Sequence, residues 1–239
     1  FVGREAELAQ IETLLQDPQC RLISLVGIGG SGKTRLSIQA ATQTQAFPQG
    51  VYFVELAATH TSEGIISAIA NTLQMPFYVQ PNASLSPDIA QAQLLRYLGD
   101  KAILLVLDNC EHLLSEAALD FSALVANLLA AAPKIKLIAT SRERLNLPDE
   151  WVLEVSGLPF PSSEEEGEIC QYAAVQLFIE SARRSSAHVG TLEVAPHDWP
   201  AIARICQLLG GIPLGVEMAA AWTKILSYQE IVTELERDL

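Results

Sequence analysis

Positively charged residues are scarce in this chain of 239 residues, in which 15 Lys and Arg stand against 28 Asp and Glu and give a formal net charge of −13. Domains that bind nucleic acid usually carry a basic patch or stripe, so we expect no direct binding of nucleic acid by this segment. Long hydrophobic runs are lacking too. The apolar run 103–107 is far shorter than the roughly 20 residues that span a bilayer, so we expect a soluble protein without a membrane partner.

Cysteine is also rare, and the four cysteines are scattered without a C-x-x-C pair or a histidine at zinc-ligand spacing. The spacing therefore indicates neither a metal site nor a disulfide framework. No signal peptide is recognisable, so the sequence predicts a cytoplasmic protein with reduced thiols. The chain starts at Phe1 without an initiator Met and ends in the charged run 234–239, which suggests a segment of a longer protein.

One glycine-rich motif carries most of the functional information. Residues 27–34 read Gly-Ile-Gly-Gly-Ser-Gly-Lys-Thr and directly follow the apolar run 22–26. This is the G-x-x-x-x-G-K-[ST] phosphate-binding loop, in which backbone N–H groups surround the phosphates, the lysine contacts the β and γ oxygens, and the hydroxyl binds Mg²⁺. The residues that we expect to contact the nucleotide here are Gly27, Gly29, Gly30, Ser31, Gly32, Lys33, Thr34 and Arg35.

The remaining pattern alternates between strands and helices and predicts an α/β fold. Strands are expected at 22–26, 51–55, 103–107, 135–139 and 151–155, and helices at 5–16, 34–44, 62–73, 88–98 and 115–131. Pro159, Pro161 and the acidic run Glu164–Glu166 mark a change in composition, after which only helical patterns follow, at 170–184, 199–209, 214–225 and 228–239. We therefore predict a P-loop nucleotide-binding domain over residues 1–160 and a helical subdomain over residues 161–239.

Polar residues follow two of the predicted strands. Asp108 ends the run 103–107, where a carboxylate can orient Mg²⁺, so Thr34 and Asp108 are the predicted metal ligands. Glu111 is the predicted catalytic base, whereas His112 is more typical of a structural role. Arg142 follows the strand 135–139 and can report on the γ-phosphate if that strand neighbours the phosphate-loop strand. The predicted catalytic set is Lys33, Asp108, Glu111 and Arg142.

Five motifs in order extend the pattern over nearly the whole chain. They are Val2-Gly3-Arg4-Glu5, Gly27–Thr34, Leu105-Val106-Leu107-Asp108-Asn109, Ala139-Thr140-Ser141-Arg142 and Gly211-Ile212-Pro213-Leu214. This set resembles the NB-ARC module of STAND-class signalling ATPases. The sequence of residues 107–113, Leu-Asp-Asn-Cys-Glu-His-Leu, is most similar to the corresponding motif of large bacterial transcriptional regulators.

The resemblance implies a five-stranded parallel sheet of the ASCE type in the order 5-1-4-3-2, followed by an ARC1-like helical subdomain. It implies that Val2 and Arg4 line an adenosine pocket and that Pro213 packs on the base. It also implies an ADP-bound resting state and an ATP-bound state that forms homo-oligomers and acts through other domains of a parent protein. Many relatives have a second Asp where this chain has Asn109, so we expect slow hydrolysis.

Three functions are compatible with these residues. The first is an adenine-nucleotide switch that uses ATP, ADP and Mg²⁺ and hydrolyses ATP slowly. Adenine is preferred because the chain has no Asn-Lys-x-Asp guanine-reading motif. The second is a stand-alone nucleotide phosphatase or phosphotransferase, and the third is a module that holds ADP for structural reasons without cycling.

Overall fold

The computed structural model describes residues 1–78, 86–114, 118–161, 169–185 and 194–238. The described part contains the strands β1 (Leu22–Val26), β2 (Val51–Glu55), β3 (Leu104–Asp108), β4 (Lys136–Ser141) and β5 (Glu150–Glu154). Its α-helices are α1 (Glu5–Gln16), α2 (Lys33–Gln43), α3 (Ser62–Thr72), α4 (Pro87–Leu98), α5 (Ala118–Ala131), α6 (Ala173–Ser185), α7 (Trp199–Leu208), α8 (Pro213–Ala221) and α9 (Tyr228–Asp238). The acidic run Glu164–Glu166 lies outside the described residues.

The five strands form one parallel sheet in the order β2-β3-β4-β1-β5. Read from the other edge, this is the predicted order 5-1-4-3-2, which is therefore confirmed. All of β3 is buried, as expected of a central parallel strand covered on both faces. The edge strands β2 and β5 are only partly buried.

The chain folds into two compact units, which we call the sheet unit and the helical unit. The sheet unit consists of Glu5–Gly27 and Lys33–Glu154, and the helical unit of Phe1–Arg4, Ile28–Gly32 and Val155–Leu239. The N-terminal residues and the tip of the phosphate loop thus group with the helices. The predicted domain division at residue 160 stays a prediction.

The sheet unit has a core between one sheet face and helices α3, α4 and α5. Large buried side chains in this core include Leu105, Leu137, Ile69, Leu94 and Phe121. The burial of continuous aliphatic strands explains why the central strands could be recognised in the sequence.

Two basic side chains donate hydrogen bonds to backbone carbonyls at helix ends in the sheet unit. Arg21 donates to the carbonyl oxygens of Leu129 (3.1 Å), Ala132 (2.7 Å) and Ile135 (2.8 Å), at and after the end of α5. Lys136 donates from Nζ to the carbonyl oxygens of Leu14 (3.3 Å) and Asp17 (2.5 Å), at the end of α1. The last carbonyls of a helix have no partner within it, so these side chains add hydrogen bonds at the helix ends. The carbonyls of Asp17 and Ala132 also accept from the backbone N–H groups of Cys20 and Ile135.

The helical unit has its own core, built by α6, α7, α8 and α9. Its buried side chains include Phe178, Ile202, Ile205, Val216 and Ile231. Two backbone segments meet closely in this unit, because the N–H of Leu158 donates to the carbonyl of Gly211 at 2.8 Å. A Cβ on Gly211 would lie 2.1 Å from the carbonyl oxygen of Leu158, so only glycine fits there.

Several boundaries differ from the prediction. The structure extends β4 to Ser141, beyond the predicted end at residue 139, because Thr140 and Ser141 are buried and paired with β1. The predicted helix 214–225 begins at Pro213, ends at Ala221 and is followed by a 3₁₀ turn, Trp222–Lys224. Within the described ranges no helix is long and apolar enough to cross a membrane, and no cluster of three His, Cys, Asp or Glu side chains could hold a metal ion.

Candidate functional site

The phosphate loop joins β1 to α2. Gly30 and Gly32 have φ values of +78° and +93°, in the left-handed region that favours glycine. The N–H of Gly27 donates to the carbonyl of Ser141 at the end of β4, at 3.3 Å. The start of the loop is therefore bonded to the neighbouring strand, and α2 begins at Lys33 with its N-terminal end toward the loop.

Lys33 is a buried cation at the base of the loop, 9% exposed. Its ammonium donates to the carbonyl of Gly27 at 2.7 Å. Burial lowers the pKa of Lys33, and Arg142 lowers it further, while the carboxylates of Glu111 and Asp108 act in the opposite direction. An ammonium group that is partly removed from water binds an anionic ligand more strongly than an exposed one does.

Asp108 ends β3 and accepts two hydroxyl hydrogen bonds on a single oxygen. Thr34 Oγ1 donates to Asp108 Oδ1 at 2.7 Å, and Thr140 Oγ1 donates to the same atom at 2.6 Å. The carboxylate is 9% exposed. The structure thus brings together the two predicted metal ligands, Thr34 and Asp108, at the carboxyl edge of the sheet.

Thr140 forms hydrogen bonds with the turn after β3 as well as with Asp108 at the end of β3. The N–H of Asn109 donates to Thr140 Oγ1 at 2.9 Å, and the N–H of Cys110 donates to the carbonyl of Thr140 at 2.9 Å. Asn109 has a φ of +65°, a left-handed conformation that Asn tolerates better than most residues. Thr140 belongs to the sequence motif 139–142, but no role in the site was predicted for it.

Glu111 and Arg142 form an ion pair. Arg142 Nε lies 3.1 Å from Glu111 Oε1, and the side chains are 65% and 23% exposed respectively. Glu111 opens the 3₁₀ helix Glu111–Leu114, and Arg142 follows β4, which lies between β1 and β3. Arg144 pairs instead with Glu154, at 3.7 Å.

His112 contacts the turn after β2. Its Nε2 lies 2.6 Å from the carbonyl oxygen of Thr59, and its ring meets the ring of His60 edge to face at a centroid distance of 5.3 Å. These contacts support the structural interpretation of His112. They also hold the 3₁₀ turn that carries Glu111 against the segment after β2.

The helical unit contains the remaining predicted nucleotide residues. Arg4 is buried, has a φ of +74° and donates to the carbonyl oxygens of Ser31, at 3.1 Å, and Ser156. The N–H of Leu214 donates to the carbonyl of Gly30 at 3.2 Å, and Pro213 begins α8. The loop tip is therefore bonded both to Arg4 and to the start of α8.

Comparison with protein families decides the class of this fold. The family described as NB-ARC domain matches residues 4–145, more than half of the chain. The chain belongs to the NB-ARC family. P-loop NTPases of this kind generally bind ATP or ADP with Mg²⁺.

Curated relatives of this NB-ARC chain occur in mycobacteria. One, from Mycobacterium tuberculosis, bears the name "Putative HTH-type transcriptional regulator" and is 38% identical over 219 residues, which are 91% of this chain and 22% of the relative. A second protein of Mycobacterium tuberculosis, without a functional name, is 34% identical over 236 residues, 98% of this chain and 53% of that protein. The chain thus spans about a fifth and about a half, respectively, of the lengths of these two relatives.

Solved structures with the same fold include two archaeal ATPases. A Walker-type ATPase of Pyrococcus abyssi has a TM-score of 0.60 at 18% identity, covering 98% of this chain and 71% of that one. A STAND protein with a tetratricopeptide repeat sensor from Pyrococcus horikoshii has a TM-score of 0.58 at 18% identity, covering 100% of this chain and 32% of that one. At such identities the likeness concerns the fold.

The side chains of the NB-ARC site fit a magnesium nucleotide. A hydroxyl and a carboxylate oxygen, from Thr34 and Asp108, lie within 2.7 Å of each other, and hard oxygen ligands of this kind suit Mg²⁺. Lys33 adds a buried positive charge at the base of the loop. Bound Mg²⁺ would neutralise charge on the phosphates and orient them.

Two further residues, Arg35 and Val2, were predicted to contact the nucleotide. Arg35 is exposed in the first turn of α2, and Val2 is partly buried near the chain start. Their predicted contacts with nucleotide stay predictions.

Proposed function

We propose that this NB-ARC chain is an adenine-nucleotide switch module of a longer regulatory protein, with slow Mg²⁺-dependent ATP hydrolysis. The observation that carries the proposal is the hydrogen bond from the N–H of Leu214 to the carbonyl of Gly30. It joins the start of α8 directly to the loop that would surround the phosphates. A rearrangement of the loop on nucleotide binding therefore acts on the first turn of that helix.

The nucleotide is held, in this proposal, by groups at the carboxyl edge of the sheet and by the loop. Lys33 contacts the β and γ oxygens, and backbone N–H groups of residues 27–34 contact the phosphates. Thr34 and Asp108 hold Mg²⁺. The proposed adenosine contacts are Val2, Arg4 and Pro213.

Slow hydrolysis follows from the residues near the proposed γ-phosphate position. Asn109 supplies an amide instead of a carboxylate, and an amide cannot accept a proton from water. Glu111 is the proposed base, but it is paired with Arg142 at 3.1 Å. Glu111 cannot accept a proton until this pair separates, so we expect low turnover.

A switch works through the difference in its affinity for ADP and ATP between two arrangements of the protein. We propose that ADP stabilises the resting arrangement and ATP the active one, which forms homo-oligomers and acts on other domains of the parent protein. The mycobacterial relative named as a transcriptional regulator supports a role in transcription, with DNA contacted by a segment outside this one. The proposed compartment is the cytoplasm.

The first experiment is to denature the purified protein and identify the released nucleotide by ion-exchange chromatography. We expect stoichiometric ADP from the wild type and none from Lys33→Ala. The control is Lys134→Ala, which removes an exposed lysine outside the loop and should retain ADP. An absence of nucleotide from the wild type, together with brisk multiple-turnover phosphate release, would favour the phosphatase or phosphotransferase instead.

A second measurement tests the switch and the base. Bound ADP should exchange for ATP, and Glu111→Gln should slow phosphate release although the variant still binds ADP and ATP. Stoichiometric ADP that never exchanges would favour the non-cycling structural module. Unchanged hydrolysis in Glu111→Gln would remove Glu111 as the base.

A further inference from the structure

Glu111 and Arg142, which form an ion pair, have different roles in the proposed reaction. Arg142 is the proposed contact of the γ-phosphate, and Glu111 is the proposed base. In the structure each is the other's partner, with Arg142 Nε donating to Glu111 Oε1 at 3.1 Å. A guanidinium that serves a carboxylate through Nε has fewer donors for a phosphate.

Both members of the pair act electrostatically on the phosphate loop. Glu111 raises the pKa of Lys33 and Arg142 lowers it, in addition to the larger lowering by burial. Their charges are therefore felt at the lysine ammonium that would contact the β and γ oxygens. A terminal phosphate at this position would attract Arg142 and repel Glu111.

The other nearby carboxylate is engaged differently. Asp108 accepts hydroxyl hydrogen bonds from Thr34 and Thr140 on Oδ1 and is buried. Glu111 is thus the carboxylate that the structure pairs with Arg142 at this edge of the sheet.

We propose that Glu111 is a specificity-determining residue. Its ion pair with Arg142 disfavours binding of the triphosphate, and Glu111 is released when a γ-phosphate replaces it as the partner of Arg142. The inference rests on the proposed nucleotide-binding function. A diphosphate leaves the ion pair in place, whereas a γ-phosphate that binds Arg142 through Nε must displace Glu111. Separation frees Glu111 at the same step, so the base becomes available only when there is a γ-phosphate to hydrolyse.

The size of the effect follows from the exposure of the pair. Arg142 is 65% exposed, and exposed ion pairs contribute weakly because solvent screens them. We therefore expect a change of about two- to fivefold in the ratio of triphosphate to diphosphate affinity. The change should shrink at high salt, because surface pairs are screened.

The test measures the affinities of ADP and of a non-hydrolysable ATP analogue, each with Mg²⁺, for nucleotide-stripped protein by isothermal titration calorimetry. Glu111→Gln removes the charge but preserves the shape, and it should bind the analogue about two- to fivefold more tightly relative to ADP. The matched control is Glu143→Gln, an exposed neighbouring carboxylate for which the described residues contain no ion pair, and it should leave the ratio unchanged.

The double variant separates the ion pair from a simple charge effect. In an Arg142→Gln background, Glu111→Gln should change the ratio less than it does in the wild type, because the residue that it would release is absent. An equal change in both backgrounds, or no change in Glu111→Gln, would overturn the inference while leaving the proposed function intact. Failure of the wild type to bind either nucleotide would instead overturn the proposed function and the inference with it.

Folding of the variants does not obscure the result. Arg142 is largely exposed, so Arg142→Gln should have the circular dichroism spectrum of the wild type. If Glu111→Gln fails to fold, a salt titration of the wild type replaces it. The ratio of analogue to ADP affinity should then change less in Arg142→Gln than in the wild type between low and high salt, and equal salt dependence would contradict the inference.

Discussion

Replacing Thr140 by valine removes a hydroxyl that joins two strands while nearly preserving the volume of the side chain. The hydroxyl donates to Asp108 Oδ1 at 2.6 Å and accepts from the N–H of Asn109 at 2.9 Å. A hydrogen bond to a charged group contributes about 1.5–3 kcal/mol and one to a neutral amide about 0.5–1.5 kcal/mol. Because both partners remain inside the protein, we expect Thr140→Val to lower the free energy of unfolding by about 2–4 kcal/mol.

The assay is equilibrium unfolding in urea, followed through a single tryptophan. Trp151 lies on β5 in the sheet unit, whereas Trp199 and Trp222 lie in the helical unit. A background with Trp199→Phe and Trp222→Phe therefore reports on the sheet unit alone. In a chain of this length the expected loss corresponds to a decrease in Tm of about 4–16 °C.

The control is Thr140→Ser, which retains the hydroxyl and loses one methyl group. It should cost about 1 kcal/mol, the free energy of one buried methyl, and clearly less than the valine variant. Two results would refute this reasoning. One is a free energy of unfolding of Thr140→Val within about 0.5 kcal/mol of its parent, and the other is a loss in Thr140→Ser as large as that in Thr140→Val. In either case the hydroxyl does not stabilise the end of β3.

Three further predictions concern packing, capping and thiol reactivity. Gly211→Ala should cost about 1–3 kcal/mol more than Gly210→Ala in urea unfolding, because both positions have positive φ but only at 211 would a Cβ meet a carbonyl oxygen; equal costs would refute the overlap. Arg21→Met should cost about 2–3 kcal/mol through the loss of three hydrogen bonds to backbone carbonyls, while the exposed Lys134→Met should change stability by less than about 0.5 kcal/mol; similar costs would assign the effect to charge alone. Iodoacetamide at pH 8 should label Cys170 alone in the native protein, since burial raises the pKa of each of the other three thiols and so lowers the fraction of reactive thiolate; mass spectrometry of the labelled peptides would contradict this by detecting a second site.

Periodicity was sufficient for most of the fold. Helix α1 has the predicted bounds, because its apolar positions recur at helical spacing and Asp17-Pro18 ends the pattern. Strand β3 was recognisable because a fully buried parallel strand is a continuous aliphatic run.

The predicted strand 135–139 stopped too early for a specific reason. Thr140 and Ser141 are polar and therefore interrupted the aliphatic pattern, yet both are buried and pair with Leu25 and Val26 of β1. Thr140 tolerates burial because its hydroxyl donates a hydrogen bond to Asp108. That partner comes from another strand, so the sequence around residue 140 alone contains no sign of it.

The contacts of Arg4 with the loop tip could not be predicted, because its partners are backbone carbonyl groups. The motif at residues 2–5 drew attention to Arg4, but its contacts are the carbonyl oxygens of Ser31 and Ser156. Every residue has a carbonyl, so side-chain patterns cannot identify such partners. The residue could be named from the sequence, whereas its position between the loop tip and the segment after β5 could not.

The left-handed backbone at Asn109 has a consequence for how this site can evolve. Among residues with a side chain, Asn and Asp tolerate that conformation best, and the N–H of residue 109 bonds to Thr140 whichever of the two is present. An exchange between them would therefore leave the backbone conformation and its hydrogen bond to Thr140 in place. One mutation could add or remove a carboxylate beside the proposed γ-phosphate position, so selection could adjust how long the ATP-bound state lasts without rebuilding the fold.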